Sequence, residues 1–291
     1  MDLRSEVEGV FIIAKREALY HLKSLRMIIF GGILIAGMIL MSRSMSIQPG
    51  MFLTGEEIYY TPDAALFAST FLFGFFASFF ALLITYDDFS REKTANTLQF
   101  LLMKPLHYTS IVMGKFLGAF FAMCVPVIMV TLGSVAVISM SSGQNPTASG
   151  TLGFLLCLML SIGICILFQQ SLSIVFRTST TSVIVGITVL GFFSLFWQPF
   201  IVYMGVEVGA LDNMWAFTMS EQGEAFLEQA ALLNPFPALG LSTFSNSMAV
   251  FLSDESFVSI PRWLPPVVLF LWFVLFLLLS TFLFNRISRK I

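Results

Sequence analysis

The sequence predicts an all-α integral membrane protein, and three observations support that fold class. The 291-residue chain is 57% hydrophobic and only 11% charged, whereas soluble proteins average roughly 45–50% and about 25%. Six apolar runs approach or exceed the length of about 20 residues that a bilayer-crossing helix needs. None of these runs contains Asp, Glu, Lys, Arg or His. We therefore predict a single transmembrane domain, residues 1–291, with six transmembrane helices.

The six predicted transmembrane helices differ in how well they fill the bilayer. The first run is the shortest, and it reaches a full span only by extending backward into the apolar-rich residues before it. The other five are long enough as they stand. The runs cover about residues 27–42, 64–85, 116–140, 151–176, 182–204 and 263–284.

The distribution of cationic residues predicts the orientation of these helices, because Lys and Arg are enriched in cytoplasmic loops. Thirteen of the fifteen Lys and Arg residues lie on one side of the predicted bilayer, in residues 1–26, 86–115 and 177–181 and in the C-terminal tail. The other side has only Arg43 and Arg262. We therefore expect a multi-pass protein of the plasma membrane whose two termini and 86–115 loop are cytoplasmic.

The longest segment between apolar runs, residues 205–262, lies on the predicted outer side and is acidic. Thr218 to Glu221 resemble a capping box, a pattern that starts helices. Asn234 to Pro237 interrupt that helix, and an apolar stretch follows. Two interpretations stay open at this point. The segment forms two short helices on or in the outer leaflet, or it is an exposed acidic loop.

Residues 1–26 predict an amphipathic helix rather than a span. Apolar side chains recur at three- and four-residue steps while cations occupy other faces, as in helices that lie in the membrane interface. The apolar positions are Val7, Val10, Phe11, Ala14, Ala18, Leu22 and Leu25. A juxtamembrane anchor without a further role is the alternative interpretation.

The 86–115 loop predicts a second, shorter amphipathic helix. Two residues that cap helix starts are followed by three leucines on one face. A proline then ends the helix, because the residue before a proline is disfavoured in the α conformation. These positions are Asn96, Thr97, Leu98, Leu101, Leu102 and Pro105. A helix of this length is unstable alone in water, so it must pack against the bilayer or a protein groove.

A stripe of small residues follows this loop. Gly114, Gly118 and Ala122 recur at four-residue steps, and small residues allow two helices to approach closely. We predict that the stripe packs within one helix bundle, in preference to forming a dimer seam.

The residues that the apolar runs lack weigh against several classes of function. Ion-coupled transporters and intramembrane hydrolases need ionisable or metal-binding side chains inside the membrane. The net charge of −2 leaves no basic surface for nucleic acid. The three cysteines and sixteen methionines are interpreted as apolar packing residues, with copper handling as the alternative. No nucleotide-binding loop surrounds Gly114-Lys115, so any ATP must bind to another chain.

The residues from 90 to 118 resemble the loop after the second span in permeases of the type-2 ATP-binding-cassette (ABC) transporter family. There a Glu-rich stretch leads into Gly-Thr-Leu, a Leu pair, a Pro and a Gly-Lys pair. Asn96 stands where the family usually has Gly, and Asn also reaches left-handed conformations; Thr94 replaces a common second Glu. The matching positions are Glu92, Thr97, Leu98, Leu101, Leu102, Pro105, Gly114 and Lys115.

Two other segments extend the resemblance. Residues 12–27, which include Lys15, Arg16 and Glu17, resemble the amphipathic elbow helix that precedes the first span in this family. Residues 233–240, with the sequence LNPFPALG, resemble its Asn-Pro segment before the last span.

The resemblance implies the permease subunit of an ATP-driven exporter. The short helix at about Asn96–Met103 would be a coupling helix that docks on a separate ABC ATPase subunit, and a second permease subunit would complete a homodimer or a homologous heterodimer. ATP and Mg would bind to the ATPase, and this chain would hold no cofactor, metal or catalytic residue. The expected ATPase contacts are Glu92, Asn96, Thr97, Leu98, Leu101, Leu102 and Pro105.

The cargo and the mode of action stay open. The uncharged, aromatic-rich spans suit a hydrophobic drug, lipid or peptide, although contact with membrane lipid alone favours the same composition. The alternative function is a scaffold that transports nothing and transmits ATPase motion to other envelope proteins. An intramembrane enzyme is the third hypothesis, and the missing catalytic groups weigh against it.

Overall fold

The structure is a computed structural model, and the part of the chain that it describes is built from helices joined by short turns. One stretch of π-helix, Phe192–Phe196, interrupts the regular α-helical pattern. The described residues are 3–47, 62–68, 70–97, 107–208, 230, 233–236 and 264–288.

Ten α-helices are defined within these residues. The π-helix Phe192–Phe196 joins the eighth helix to the ninth. In chain order the helices are α1 (Leu3–Leu22), α2 (Leu25–Ile47), α3 (Pro62–Ala68), α4 (Thr70–Thr85), α5 (Ser90–Thr94), α6 (Tyr108–Ser142), α7 (Ala148–Val175), α8 (Ser179–Gly191), α9 (Trp197–Glu207) and α10 (Leu264–Ser288).

Several of these helices are long and apolar enough to cross a membrane. Four qualify by themselves, and α1 and α2 qualify only when they are taken together as a pair bent by 69°. The prediction of an all-helical membrane protein is thereby confirmed, whereas the count of six spans stays a prediction. The four are Tyr108–Ser142, Ala148–Val175, Ser179–Phe196 and Pro266–Ser288.

The main departure from the sequence prediction is the start of α6. The predicted loop ended at residue 115 and the third span began at 116, but α6 begins at Tyr108. This helix has 35 residues and is therefore about 50 Å long, which exceeds the roughly 30 Å of a hydrocarbon core. The last residues of the predicted loop, 108–115, are therefore helical, and they include Lys115, whose side chain is 1% exposed and paired. Where the bilayer begins along α6 stays a prediction.

Helices α6 and α7 form the centre of the bundle. Helices α1 and α2 pack against α6, while α4 and α10 pack against α7. The main core contains buried apolar side chains from α2, α4, α6, α7 and α10. A smaller core lies where α4 ends and α6 begins, and we call this end of the bundle the α5 end. Its buried members are Ile13, Phe89, Ile111, Val112, Ile174 and Phe284.

Candidate functional site

Four charged side chains meet at the α5 end, and we call Arg16, Glu17, Glu92 and Lys115 the Lys115 cluster. The Nζ atom of Lys115 lies 2.9 Å from Glu92 Oε1 and 3.3 Å from Glu17 Oε1. Arg16 lies 2.7 Å from the same Glu17 oxygen. The cluster thus holds two positive and two negative charges, and it joins α1, α5 and α6. A buried charge needs such partners because leaving water is costly.

The turn between α4 and α5 contributes further partners to the same lysine. Lys115 donates a 2.9 Å hydrogen bond to the backbone carbonyl of Asp88. Its ammonium also lies 5.1 Å from the centre of the Phe89 ring, an arrangement in which the ring face attracts a cation. The turn therefore adds one carbonyl acceptor and one aromatic ring to the two carboxylates that already pair with the ammonium.

The carboxylate of Asp88 is buried beside the Lys115 cluster and joins α1 to α7. Its Oδ2 accepts a 3.2 Å hydrogen bond from Gln170 Nε2 on α7. Its Oδ1 lies 3.4 Å from Nε2 of His21 on α1, an ion pair when the imidazole is protonated. Its neighbour Asp87 lies 3.4 Å from the guanidinium of Arg26. The end of α4 is thus fixed to three other helices.

The small-residue stripe of α6 packs directly against α1. A Cβ added at Gly114 would lie 2.8 Å from the Cβ of Ile13, and one added at Gly118 would lie 2.6 Å from the Cβ of Glu17. Both distances are shorter than any ordinary contact, so only glycine allows this approach. Ala122, one step further, is fully buried. The partner of the stripe is therefore the N-terminal helix of the same chain.

Helix α1 accordingly has two apolar faces. Ile13 and Ala14 are buried against α6, while Phe11 and Ile12 are exposed at 63% and 69%. The sequence pattern had placed Phe11 and Ala14 on one face, and the structure separates them. The glycine stripe of α6 covers the side of α1 that carries Glu17, and the interfacial position of this helix stays a prediction.

Asn96 ends a helix where the sequence predicted that it starts one. Its φ is 53°, the left-handed conformation that Asn tolerates better than most residues. The N–H of Thr97 donates to the carbonyl of Glu92 and that of Asn96 to the carbonyl of Lys93, which is the Schellman pattern of a helix C-terminus. The predicted coupling helix, about Asn96–Met103, therefore does not include its first two residues, because they cap α5.

A single hydroxyl group holds the turn before α5 against α7. Ser173 Oγ accepts hydrogen bonds of 3.0 Å from the backbone N–H groups of both Phe89 and Ser90. The hydroxyl of Ser90 in turn lies 2.8 Å from that of Ser179, the first residue of α8. This chain of hydroxyl groups connects the turn to the ends of two long helices.

Lys93 caps the end of α7. Its ammonium donates to the carbonyl groups of Ser173, Ile174 and Phe176, which have no partners of their own at a helix end. Burial lowers the pKa of Lys93 to about 8, so the group still carries its proton at neutral pH. The positive charge is stabilised where the helix dipole is negative.

A cleft of about 310 Å³ separates α1 from α5 and the residues that follow it. We call residues 90–97 the α5 segment. Arg91 lines it, stacks 4.4 Å above the ring of Tyr20 and donates to its hydroxyl. Arg16 lines the opposite wall, and Thr97 lies at the edge where the described part of the loop ends. Among the described residues, no three His, Cys, Asp or Glu side chains group to hold a metal ion. The site offers paired charges and hydroxyl groups that fix helices in place.

The site residues predicted from the sequence differ in their burial and in their contacts, and some lie outside the described residues. Glu92 is bonded to Lys115, and Glu17 is buried whereas Lys15 and Arg16 are exposed. Of the predicted contact residues, Leu98, Leu101, Leu102 and Pro105 lie outside the described residues. Whether any of these residues contacts an ATPase stays a prediction.

Sequence reasoning missed Asp88, Gln170, Ser173 and the capping role of Lys93. Adjacent carboxylates at the end of a span signalled a need for partners, since buried carboxylates are usually paired. The identity of those partners depends on how distant helices pack.

Comparison with known families agrees with this architecture. The model of the ABC-2 family transporter proteins matches residues 11–289. A search of curated proteins found no match to the chain. Members of the family are membrane components rather than catalytic subunits, and the family implies an ABC ATPase as a partner in general. The chain therefore belongs to the ABC-2 family of transporter proteins, as an integral membrane permease.

Proposed function

We propose that this chain is the permease subunit of an ATP-driven exporter, coupled to a separate ABC ATPase through the loop after α4. The proposed cargo is hydrophobic or amphipathic, such as a drug, lipid or peptide, and it moves outward across the plasma membrane. The α5 end faces the cytoplasm in this proposal, because the predicted orientation places most cations there. ATP and Mg bind to the ATPase. Two permease subunits, identical or homologous, complete the complex.

The observation that carries this proposal is the buried attachment of the α5 segment. Glu92 is bonded to Lys115 of α6, and Lys93 caps α7. The turn before them is bonded to Ser173. A segment on which an ATPase exerts force can move transmembrane helices only if it is firmly connected to them. These bonds supply that connection to both central helices of the bundle.

Helix α1 extends the same rigid unit. Gly114 and Gly118 bring its backbone close to α6, and Glu17 shares Lys115 with Glu92. Displacement of the α5 segment is therefore expected to move α1 and the first turns of α6 together. This supports a mechanical role for α1 beyond that of an anchor.

The first test concerns the ATPase contact. Replacing Leu101 and Leu102 together with Asp is expected to abolish co-purification of ATPase activity with the permease, because charge on the apolar face prevents burial in a groove. The matched control replaces both residues with Ile. Unchanged ATPase activity in the Asp variant, with the permease still folded, would refute the coupling assignment.

A second measurement separates the exporter from the scaffold. The purified complex in sealed vesicles is given ATP and a fluorescent lipid or a hydrophobic dye, and movement across the bilayer is followed. Transport that requires Leu101 and Leu102 supports the exporter. ATP turnover without movement of either probe, together with stable capture of an envelope protein, would favour the scaffold instead.

A further inference from the structure

A π-helical turn lies in the middle of the transmembrane helix that runs from Ser179 to Glu207. Within Phe192–Phe196 the N–H of Trp197 donates to the carbonyl of Phe192, five residues earlier. An α-helix makes this bond four residues earlier. The turn therefore contains one residue more than a regular helix would use, and such turns are often found at functional sites.

A residue from the distant 205–262 segment binds to this π-helical turn. Asn234 Nδ2 donates a 3.0 Å hydrogen bond to the carbonyl of Phe193. Its Oδ1 accepts a 2.8 Å bond from the N–H of Phe236. Asn234 is only 4% exposed, and a buried amide between apolar helices is costly unless its polar atoms are paired. The side-chain NH₂ group of Asn234 is paired with the carbonyl of Phe193, which belongs to the π-helical turn.

Aromatic side chains hold the same turn of chain in place. The ring of Phe236 is 1% exposed, and its centre lies 4.9 Å from that of Phe168 and 5.7 Å from that of Phe193. Phe168 is some twenty residues into α7, or about 30 Å from the start of that helix. The 233–236 turn therefore lies deep in the bundle, next to the π-helix, and not at its outer surface.

The surplus residue has a geometrical consequence for α9. If Phe192–Phe196 became α-helical, α9 would rotate by about 100° and advance by about 1.5 Å relative to α8. Each residue of α9 would then take the direction that its successor has now. Ile201 is 3% exposed and Phe200 is 45% exposed. After the rotation Phe200 would point into the bundle and Ile201 would turn away from it.

We infer that Asn234 is a positioning residue that selects the π register of this helix, so that the helix has two registers and the 233–236 turn chooses between them. With Asn234 bound to Phe193, the π-helix is stabilised and Ile201 is buried. When the turn withdraws, the carbonyl of Phe193 loses its donor, the segment becomes α-helical and α9 rotates. A withdrawal of the 233–236 turn is thereby converted into a rotation of a transmembrane helix.

The test measures the reactivity of single cysteines placed at Phe200 or Ile201, in full-length protein whose native cysteines are replaced. The probe is N-ethylmaleimide in detergent. With Asn234 present, the cysteine at 200 should react faster than that at 201. Asn234→Leu should raise the ratio of the rate at 201 to the rate at 200 by about tenfold, since an unpaired buried carbonyl costs enough for such a change. Unchanged rates at both positions would overturn the inference.

A deletion variant distinguishes a change of helix register from a general loosening of the packing. Removing Leu195, an exposed residue of the π-helix, leaves an α-helix whose two halves keep their present faces. In this background Asn234→Leu should leave both rates unchanged, because no surplus residue remains to be absorbed. A rise at 201 in the deletion variant would show that Asn234 only stabilises packing, and would overturn the inference. Ser194→Ala is the matched control in the same turn and should behave like the parent protein.

Discussion

The two ends of the helix bundle are joined by polar groups of different kinds. At the α5 end Lys115 is 1% exposed and shares its charge between two carboxylates from other helices. At the opposite end Asp63 of α3 accepts 2.8 Å bonds from the N–H and the hydroxyl of Thr147, the N-cap of α7. Those bonds are open to solvent. Exposed polar pairs contribute little to stability, whereas breaking a buried ionic group costs much more.

This contrast predicts which part of the molecule moves as one body. At the α5 end, ion pairs, hydroxyl groups and a close helix contact all connect the same few elements. At the Asp63 end, one carboxylate binds the residue that caps α7. We therefore expect the α5 end to stay intact while force passes through it, and the Asp63 end to separate more easily.

The largest expected effect comes from Lys115→Met. The variant nearly keeps the length of the side chain but leaves the buried Glu17 and the partly buried Glu92 with Arg16 as their remaining ion-pair partner. The free energy of unfolding should fall by about 3–5 kcal/mol, the usual effect of removing one partner from a buried ionic group. Chemical unfolding of the purified protein in detergent measures this loss.

Two controls show whether charge is the cause. Lys15→Met, at an exposed position of α1, should change the free energy of unfolding by less than about 0.5 kcal/mol. Adding Glu17→Gln and Glu92→Gln to the Lys115→Met variant should restore part of the loss, because the unpaired charges are gone. A Lys115→Met variant with the same free energy of unfolding as the parent would show that the Lys115 cluster does not stabilise the fold.

A smaller effect is expected from Gly118→Ala. The new Cβ would lie 2.6 Å from the Cβ of Glu17 and 2.8 Å from the carbonyl of Ala14, so α1 must shift. Overpacking of this kind typically destabilises by about 1–3 kcal/mol. Gly133→Ala, in the same helix, meets Ile39 at an ordinary 3.5 Å and should be neutral or stabilising, since Ala favours helices over Gly. Equal stability changes for the two variants would contradict the close contact with α1.

The smallest effect is expected from Asp63→Ala. Thr147 still caps α7 by accepting a 3.0 Å bond from Gly150, so only the additional bonds from Asp63 are lost. The free energy of unfolding should fall by about 0.5–1 kcal/mol, at the lower end of values for helix caps. Asp63→Asn keeps one acceptor and should lose less. If Asp63→Ala lowered the free energy of unfolding as much as Lys115→Met does, the inferred difference in strength between the two ends of the bundle would be wrong.

The class of the protein and the approximate extent of its long helices follow from the sequence. Apolar runs long enough for a bilayer predicted α7 and α10 within a few residues, because lipid requires every backbone polar group to be bonded inside a helix. The small residues of α6 signalled a close contact. Pro and Asn residues marked where the chain must turn, since their backbones restrict or extend the allowed conformations.

The partners of these features depend on how the helices pack. Lys115 precedes an apolar run in the sequence, yet it lies inside α6 because Glu17 and Glu92 neutralise it. Asn96 was expected to start a helix, and it ends one. The π-helix beside Asn234 has no signal in composition. For Lys115 and the π-helix the deciding interaction joins residues far apart in the chain, and local sequence does not encode which distant group will supply the missing charge or hydrogen bond. Asn96 differs, because its bonds are local to the end of α5.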